Sequence, residues 1–589
     1  MKAIKVFFII ALFFVLSCND DDFLTEKPKS IYTILNAFEK SSQVEAQLTM
    51  CYIKLYGFYG QSTNGWTTIY EFKSNGTDVL DAPYWRHGGT GGFSNFSTWS
   101  TTSSFVETVW NEMYQVVSYA NLTLLGTEIE NITWASEEYK TRLIAEARFF
   151  RGYSYLRLGE LFGGVPLVDH FDEELRFDYT RSTREQTYQF AIDDLLYAFE
   201  NLPQYPQEDG RIAQGAAGHI LAEAYLAMGV ETGENSNYTS AINYANTTIA
   251  LHPLMTERFG VRSNPNDNST NRGVATYLPN GNVYGDLFYP GNYDYSAGNT
   301  EAVWTLQTPT YEQSDETGGQ TSREPFIIGP VLRDISWKPE FVEPGSAAGP
   351  WKAVSAEYNT ATFPAYLGGF GISEARVTQH ASYGIWADST DIRYEENVTV
   401  RTMYECTDPA HSMYGKKVPL TMLDPNPNVS SKYSPIFSKI TPLDEWSYRS
   451  TDNLHIGYNH DNYGIRSAET YLLLAEAYLR SDQDGLAAEA INAVRERAHC
   501  STMYSAGNID INSILDERMR ECLFEEGRWF TLLRMEPEVW KQRIYNHSMF
   551  IADYPNYSLP ITWDLWPIPQ NVIELNTDAE FPQNSGWGE

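Results

Sequence analysis

Apolar and polar residues follow one another with the period of an α-helix along much of this chain. Apolar side chains recur every three or four residues in two groups of segments, one in the first half of the chain and one near its end. The pattern predicts helices over residues 31–56, 104–130, 136–162, 183–201, 211–230, 237–251, 465–482, 485–499 and 510–534. Between the groups, residues 255–462 are rich in Gly, Pro, Asn, Ser and Tyr, which predicts loops with short strands and helical turns.

The two helical groups share a repeated motif. Residues 220–226 read Ile-Leu-Ala-Glu-Ala-Tyr-Leu, and residues 473–479 read Leu-Leu-Ala-Glu-Ala-Tyr-Leu. A turn and then Ala-Ile-Asn follow each copy, at residues 241–243 and 490–492. Alanines at helical spacing let two helix axes approach closely, as in stacked tetratricopeptide-like hairpins. We therefore predict a mainly α fold, a tetratricopeptide-like helical repeat scaffold with a large irregular, loop-rich insert.

The first apolar run of the chain ends at a cysteine. This run, residues 6–16, is eleven residues long, follows Lys2 and Lys5, and stops just before Cys18 and an acidic stretch. As a helix it would be ~16 Å long, about half of a hydrocarbon core, which is too short to span a membrane. It is typical of an export signal cut before Cys18, with an ordinary secretory signal as the alternative. We expect residues 1–17 to be a lipoprotein signal peptide and Cys18 to carry the lipid.

Charge and aromatic content narrow the choice of ligand. The chain has 42 Lys and Arg against 76 Asp and Glu, a net charge of −34. Such a surface repels phosphate backbones, so nucleic acid is not an expected partner. Aromatic residues make up 14% of the chain, with 40 Tyr and 15 Trp. Their flat apolar faces with a polar edge suit sugars or peptides, although most of these rings must lie in the core.

Several blocks of sequence, spaced from one end of the chain to the other, carry a resemblance to a known family. They are residues 18–24, 146–168, 466–477, 491–498, 517–530, 566–570 and 581–586. The second block begins Glu-Ala-Arg-Phe-Phe-Arg-Gly-Tyr, and the last reads Phe-Pro-Gln-Asn-Ser-Gly. Taken together and in this order, the blocks resemble the SusD/RagB family of nutrient-uptake outer-membrane lipoproteins from gut-type Bacteroidetes.

The resemblance implies a role in uptake across the outer membrane. It implies a lipid-anchored protein at the cell surface that binds a nutrient, here an oligosaccharide in the leading interpretation. It also implies a partner, a SusC-like, TonB-dependent β-barrel of the outer membrane, and no cofactor. In the RagB branch the ligand is a peptide, and this stays an alternative.

Pattern and resemblance together divide the chain into five parts. These are a signal peptide (1–17), a lipidated acidic tether (18–30), an N-terminal helical part with an aromatic loop at 74–100 (31–254), an irregular insert region (255–462), and a C-terminal helical part of the same SusD-like domain (463–589).

No motif in the sequence indicates catalysis or a metal site. The chain lacks the HExxH, GxSxG, GxxxxGK and GxGxxG patterns. The carboxylates of the 517–530 block have arginines at helical spacing, which predicts a structural ion network. Two catalytic carboxylates need no fixed spacing, so a surface glycosidase stays a lesser alternative. Four cysteines show no zinc-ligand spacing and are expected to be buried thiols, namely Cys51, Cys406, Cys500 and Cys522.

Aromatic and polar residues in two loop regions are the candidate ligand contacts. Sugar rings stack on Trp and Tyr, and their hydroxyls bond to planar polar groups. The candidates after the first predicted helix are Asp78, Asp81, Tyr84, Trp85, Arg86 and Trp99. The candidates in the insert are Tyr289, Tyr293, Tyr295, Trp337 and Trp351. Packing within the loops is the alternative for each, and Trp304, in a strand-like apolar run, is expected in the core.

Overall fold

The computed structural model shows a mainly helical protein, as the sequence pattern predicts. It describes residues 38–58, 74–81, 94–172, 174–265, 279–289, 291–308, 328–330, 332, 335–351, 375–424, 434–440 and 461–588. No helix in this part of the chain combines the length and the apolar character needed to cross a bilayer. The predicted signal peptide, Cys18 and the tether lie outside the described residues.

Two groups of helices form one continuous body. The first group is α1 (Ser41–Phe58), α2 (Ser104–Glu128), α3 (Glu137–Phe162), α4 (Arg184–Asn201), α5 (Gln214–Thr232) and α6 (Asn235–Leu251). The short α7 (Val283–Leu287) follows, and then α8 (Ser467–Arg480), α9 (Asp484–Arg497), α10 (Ile511–Glu521), α11 (Arg528–Arg534), α12 (Pro537–His547), α13 (Met549–Asp553) and α14 (Gln570–Leu575). Each helix from α1 to α5 packs against the next one, and α6 packs against α8. The insert therefore separates in sequence two helical parts that meet in space.

The repeated alanine motif lies where the two groups meet. Ala222 of α5 and Ala475 of α8 are fully buried in one apolar cluster with Ala241 of α6 and Ile491 of α9. Small side chains at these positions bring the α5–α6 and α8–α9 hairpins close together. The prediction of stacked hairpins is confirmed.

One predicted helix, residues 510–534, is wrong as a single element. The helix α10 ends at Glu521 and α11 starts at Arg528. Between them Phe524 has a φ of 69°, in the left-handed region that a continuous α-helix excludes. The turn directs the carboxylates of Glu525 and Glu526 inward to Arg466 and Arg518, so buried charge pairing overrides helical periodicity here.

The strands form three antiparallel pairs within the described residues. These are β1 (Leu80–Asp81) with β3 (Arg376–Val377), β2 (Ala302–Leu306) with β6 (Asn462–Arg466), and β4 (Val400–Arg401) with β5 (Ile436–Phe437). The β2–β6 pair lies on the helical body, where Trp304 is buried against Phe149 and Phe150 of α3. The prediction that Trp304 belongs to a strand and to the core is confirmed.

The carboxylates of the 517–530 block are buried partners of arginines. Both oxygens of Glu521 are used: Oε1 accepts from Arg466, at 2.6 Å, and from Arg497, and Oε2 accepts from Arg393 at 3.0 Å. Arg393 lies in the insert, so these pairs, the Glu521 network, join the insert to α10 and to the strand β6. The predicted structural ion network is confirmed.

The four cysteines after Cys18 are buried and form no disulfide, as predicted for thiols. Burial raises the pKa of the Cys500 thiol to about 12, although Arg393 beside it acts in the opposite direction. These thiols stay protonated at neutral pH, which makes them poor nucleophiles and poor metal ligands.

Candidate functional site

Two of the predicted contacts after the first helix lie in the core. Asp78 and Asp81 are both buried. The Asp78 carboxylate accepts hydrogen bonds from Arg528, at 2.8 and 2.7 Å, and from Arg543, at 2.8 Å. Burial alone would raise the pKa of Asp78, but the two guanidinium groups hold it well below its usual range. Asp78 therefore joins its segment to α11 and α12, and its role as a ligand contact stays a prediction.

Of the other predicted contacts of this loop, the structure describes only Trp99. Tyr84, Trp85 and Arg86 lie outside the described residues. Trp99 is half-buried at the edge of an aromatic cluster, where it stacks on Trp563 with 6.1 Å between ring centroids. The ring centroids of Trp529, Trp566 and Trp587 also lie within 6.5 Å of that of Trp99.

Four of the five aromatic residues predicted in the insert are packed inside the protein. They are Tyr289, Tyr293, Trp337 and Trp351. The hydroxyl of Tyr293 donates to the carbonyl of Phe288 at 3.1 Å, and the indole N–H of Trp351 donates to the carbonyl of Glu405 at 3.0 Å. These rings pin the irregular segments to the core, which is the packing role named as their alternative. Their contact with a ligand stays a prediction.

Tyr295 is the fifth of these residues, and it lies at the surface. Its ring stacks on Tyr205, with 4.9 Å between centroids and 22° between planes. Tyr205 is 39% exposed, and the ring of His252 lies roughly perpendicular to both tyrosine rings. We call the stacked pair the tyrosine platform.

The two tyrosines come from loops that the core holds in place. Tyr205 precedes a tight turn at Gly210, whose φ is 83°. The indole N–H of Trp304 donates to the carbonyl of Gly210 at 3.1 Å. This left-handed conformation favours glycine, and a Cβ at Gly210 would also lie 2.6 Å from Cγ of Gln307. The buried strand β2 therefore sets the position of the platform.

Carboxylates and an amide lie on the segments next to Tyr295 or in contact with them. Asp209 accepts a hydrogen bond from Ser296, the neighbour of Tyr295, at 2.6 Å. Asp294, on the other side of Tyr295, accepts from the side-chain amide of Gln307 at 2.7 Å. Burial raises the pKa of Asp461 to about 6, and the negative charges of Asp294 and Asp209 act in the same direction. These groups can accept hydrogen bonds from hydroxyls of a molecule that stacks on the rings.

Of the two tyrosines of the platform, the sequence analysis named Tyr295 as a candidate contact and did not name Tyr205. Tyr205 lies between Pro203 and Pro206, a pattern typical of a fixed loop. That pattern could have marked the ring of Tyr205, but nothing in the sequence pairs it with Tyr295, 90 positions further on.

No group of His, Cys, Asp and Glu in the described ranges could hold a metal ion.

Comparison with family models gives two matches. A model described as the SusD family matches residues 387–587. A second, described as starch-binding associating with outer membrane, matches residues 22–226. Together the two segments span about two thirds of the chain.

Two curated proteins show the same likeness. A SusD-like protein of Bacteroides ovatus is 27% identical over 227 residues, which are 38% of this chain and only 39% of that protein. The starch-binding protein SusD of Bacteroides thetaiotaomicron is 24% identical over 505 residues, 83% of this chain and 80% of that protein.

Solved structures share the fold. A SusD homologue from Bacteroides thetaiotaomicron matches 94% of this chain and 98% of its own, with 21% identity and a TM-score of 0.63. Surface glycan-binding protein A from Bacteroides fluxus matches 93% of this chain and 99% of its own, with 19% identity and a TM-score of 0.59. At these identities the likeness concerns the fold, and it confirms the helical scaffold with a loop-rich insert.

Proposed function

Because this chain belongs to the SusD-like family, we propose that it is a nutrient-binding lipoprotein of the outer membrane that binds an oligosaccharide. One family model is described as starch-binding, one relative is named for starch binding and one structural neighbour for glycan binding. These descriptions support the class of ligand. They concern those other proteins, so the ligand of this chain has to be tested with variants of its own surface residues.

The observation that carries the proposal is the tyrosine platform. Two stacked rings, one of them 39% exposed, present a flat apolar face on which the C–H groups of a sugar can rest. Asp209, Asp294 and Gln307 belong to the segments that carry or contact these rings, and they have polar groups that can bond hydroxyls. A site with one apolar face and several planar polar groups suits a neutral, hydroxyl-rich ligand.

We further propose that the protein binds and delivers its ligand without converting it. A lipid on Cys18 and the acidic tether 18–30 would hold the body at the cell surface. The helical scaffold would then cover a SusC-like, TonB-dependent barrel and pass the oligosaccharide to it. A body tied to the membrane at one end can move as a unit about its tether.

The binding proposal predicts that Tyr205→Ala and Tyr295→Ala each weaken oligosaccharide binding about tenfold or more. Each removes one ring of the stack, and an aromatic contact with its buried area contributes more than about 1.4 kcal/mol. Affinity electrophoresis and calorimetry against a panel of soluble glucans would measure the change. Tyr545→Ala is the matched control, because Tyr545 is 48% exposed and lies on α12.

Three results would contradict the binding proposal. The platform would not be the site if both ring variants bound as tightly as the parent. Binding of extended peptides, unchanged in both variants, would favour the peptide alternative, since peptides pair largely through their backbone groups. New reducing ends after incubation with a bound glucan would favour the glycosidase, for which Asp461, with its raised pKa, is the first residue to replace.

The anchoring proposal predicts that Cys18→Ala moves the protein out of the membrane fraction. Without the acceptor thiol no lipid is attached, and the body should then no longer co-purify with a barrel from detergent-solubilised outer membrane. Cell fractionation and affinity purification measure both effects. Cys406→Ala, which removes a buried thiol, is the control and should stay in the membrane fraction. Membrane recovery of Cys18→Ala at the level of the parent would refute the lipid anchor.

A further inference from the structure

An apolar groove lies on the helical body, apart from the tyrosine platform. It encloses about 460 Å³ between α2, the loop 166–179 and the segment 572–581. Its apolar lining includes Trp110, Tyr114 and Val117 of α2 on one wall and Phe177, Leu575 and Phe581 on the other. The groove shares no residue with the platform, so its role is independent of oligosaccharide binding there.

The rim of the groove exposes large apolar side chains to solvent. Leu175 is 88% exposed, Leu575 is 63% exposed and Phe177 is 41% exposed. Scattered apolar residues are ordinary on a protein surface, but these three line one concavity. Contiguous exposed apolar surface around a groove marks a place where another molecule binds.

Hydrogen bonds join the two segments that form the second wall of the groove. The side chain of Asn576 accepts from the backbone N–H of Tyr179 at 2.8 Å and donates to the carbonyl of Tyr179 at 2.9 Å. The backbone N–H of Asp578 donates to the carbonyl of Phe177 at 2.8 Å. These bonds fix the loop 166–179 to the C-terminal segment and leave the apolar tips facing outward.

The same loop is fixed to α2. The side-chain amide of Asn121 donates to the carbonyls of Val168 and His170, each at 2.9 Å. The hydroxyl of Tyr114 donates to the carbonyl of Pro166 at 2.8 Å. Both walls are therefore fixed by partly buried hydrogen bonds, and a ligand would meet a surface that is already formed.

The charge around the groove is negative. The described residues of 166–180 and 570–582 include seven carboxylates, one arginine and no lysine. The carboxylates belong to Asp169, Asp172, Glu174, Asp178, Glu574, Asp578 and Glu580, of which Asp172 and Glu174 line the groove itself. The arginine, Arg176, is already paired with Asp178 at 3.0 Å and lies 3.8 Å from Asp172. A bound partner would gain most from positive charge around an apolar centre.

We propose that this groove is a docking surface for a segment of a partner protein that carries apolar side chains flanked by lysine or arginine. A few leucine- or phenylalanine-sized side chains fill a volume of this size. A second copy of this chain would bring the same acidic rim against the first, and an anionic membrane surface would be repelled. The apolar centre and the acidic rim together select the basic, apolar segment.

Three labelled nonapeptides test the proposal by fluorescence anisotropy with the purified protein. The first has three leucines among six lysines, the second three leucines among six glutamates, and the third three serines among six lysines. In about 150 mM salt, which screens distant charges, the first should bind about tenfold more tightly than either other peptide. Replacing both Leu175 and Leu575 with Asp should remove this preference. Ile561→Asp is the matched control, because Ile561 is 87% exposed outside the groove and its replacement should leave binding unchanged.

The outcomes separate the occupants. Equal binding of the two lysine peptides would show that the contact is purely electrostatic. Tighter binding of the glutamate peptide than of the first peptide would show that the groove prefers negative charge. Either result would overturn the proposal. The same holds if the double variant binds the first peptide as the parent does. Sedimentation that shows a dimer, lost in the double variant, would assign the groove to a second copy instead. Oligosaccharide binding should be unchanged in the double variant, so failure here would leave the tyrosine platform unaffected.

Discussion

Replacing Glu521 with alanine is expected to lower the free energy of unfolding by roughly 3–5 kcal/mol, the usual cost of removing one partner from a buried ion pair. Glu521 is fully buried and serves three arginines, Arg393, Arg466 and Arg497. Its burial alone would raise its pKa, but the charges of these arginines hold the pKa far below the usual range. The carboxylate is therefore ionised in the folded protein and offsets positive charge that has no access to water.

The loss of stability should be large because the arginines stay buried when the Glu521 carboxylate is removed. Arg466 and Arg393 are each 1% exposed. Arg466 keeps Glu525 at 2.8 Å, and Arg393 keeps Asp391 at 2.7 Å. Arg497, also buried, keeps Glu301 at 3.0 Å. The network would hold three guanidinium groups with one negative charge fewer, in a region where charge is poorly screened.

Denaturant unfolding followed by circular dichroism measures this effect. The matched control is Glu112→Ala on α2, whose pair with Lys54 at 2.9 Å is 27% exposed on both sides. A partly exposed pair of this kind contributes at most about 1 kcal/mol. Equal losses in the two variants would mean that the Glu521 network does not hold the insert to the helices.

Replacing Asp78 with asparagine is expected to cost a similar amount, roughly 3–5 kcal/mol. The two side chains have nearly the same shape, so the variant tests the charge. Arg528 and Arg543 would lose their shared carboxylate, and the new amide N–H groups would face donors. The segment 74–81 would then lose its charged link to α11 and α12, although the indole N–H of Trp529 would still donate to the carbonyl of Asn75.

The effect of Asp78→Asn should depend on pH. The pKa of Asp78 is lowered in the folded state, so its contribution is complete above the pKa of the unfolded carboxyl, about 3.9. It is lost as the pH falls below that value toward the folded pKa. The stability difference between parent and variant should therefore be constant from about pH 5 to 8 and shrink below about pH 4.

The control for Asp78 is Asp564→Asn, because Asp564 is 57% exposed and pairs with Lys541 at 2.9 Å. Its loss should stay within about 1 kcal/mol and vary little with pH. Should Asp78→Asn fold as stably as the parent and bind oligosaccharide less tightly, the carboxylate would belong to a ligand site, as the sequence first indicated.

The helical scaffold was predictable because its signals are local. Helical periodicity, alanine spacing and helix caps depend on residues only a few positions apart. At the start of α4, for example, the side chains of Thr183 and Gln186 form a capping box. The structure begins this helix at Arg184, where the pattern placed it within one residue. The prediction was wrong where distant charges decide the backbone, in the turn that separates α10 from α11.

The ligand candidates were less predictable because an aromatic residue in a loop can pack inward or face solvent. Tyr293 and Tyr295 are two positions apart, yet the first is buried and the second is on the platform. Which ring is buried depends on partners such as Tyr463, whose ring centroid lies 4.9 Å from that of Tyr293. Composition and spacing carry no information on such partners.

By itself, the sequence determined the helical class, the two-part repeat, the family resemblance and the ionic character of the 517–530 block, since each follows from spacing along one segment. Only the tertiary structure decided that Asp78 is a core ion pair, that Tyr205 joins Tyr295, and that α2 and the last segment enclose an apolar groove. The reason is physical: burial and stacking depend on side chains that are far apart in the sequence and meet only when the chain folds.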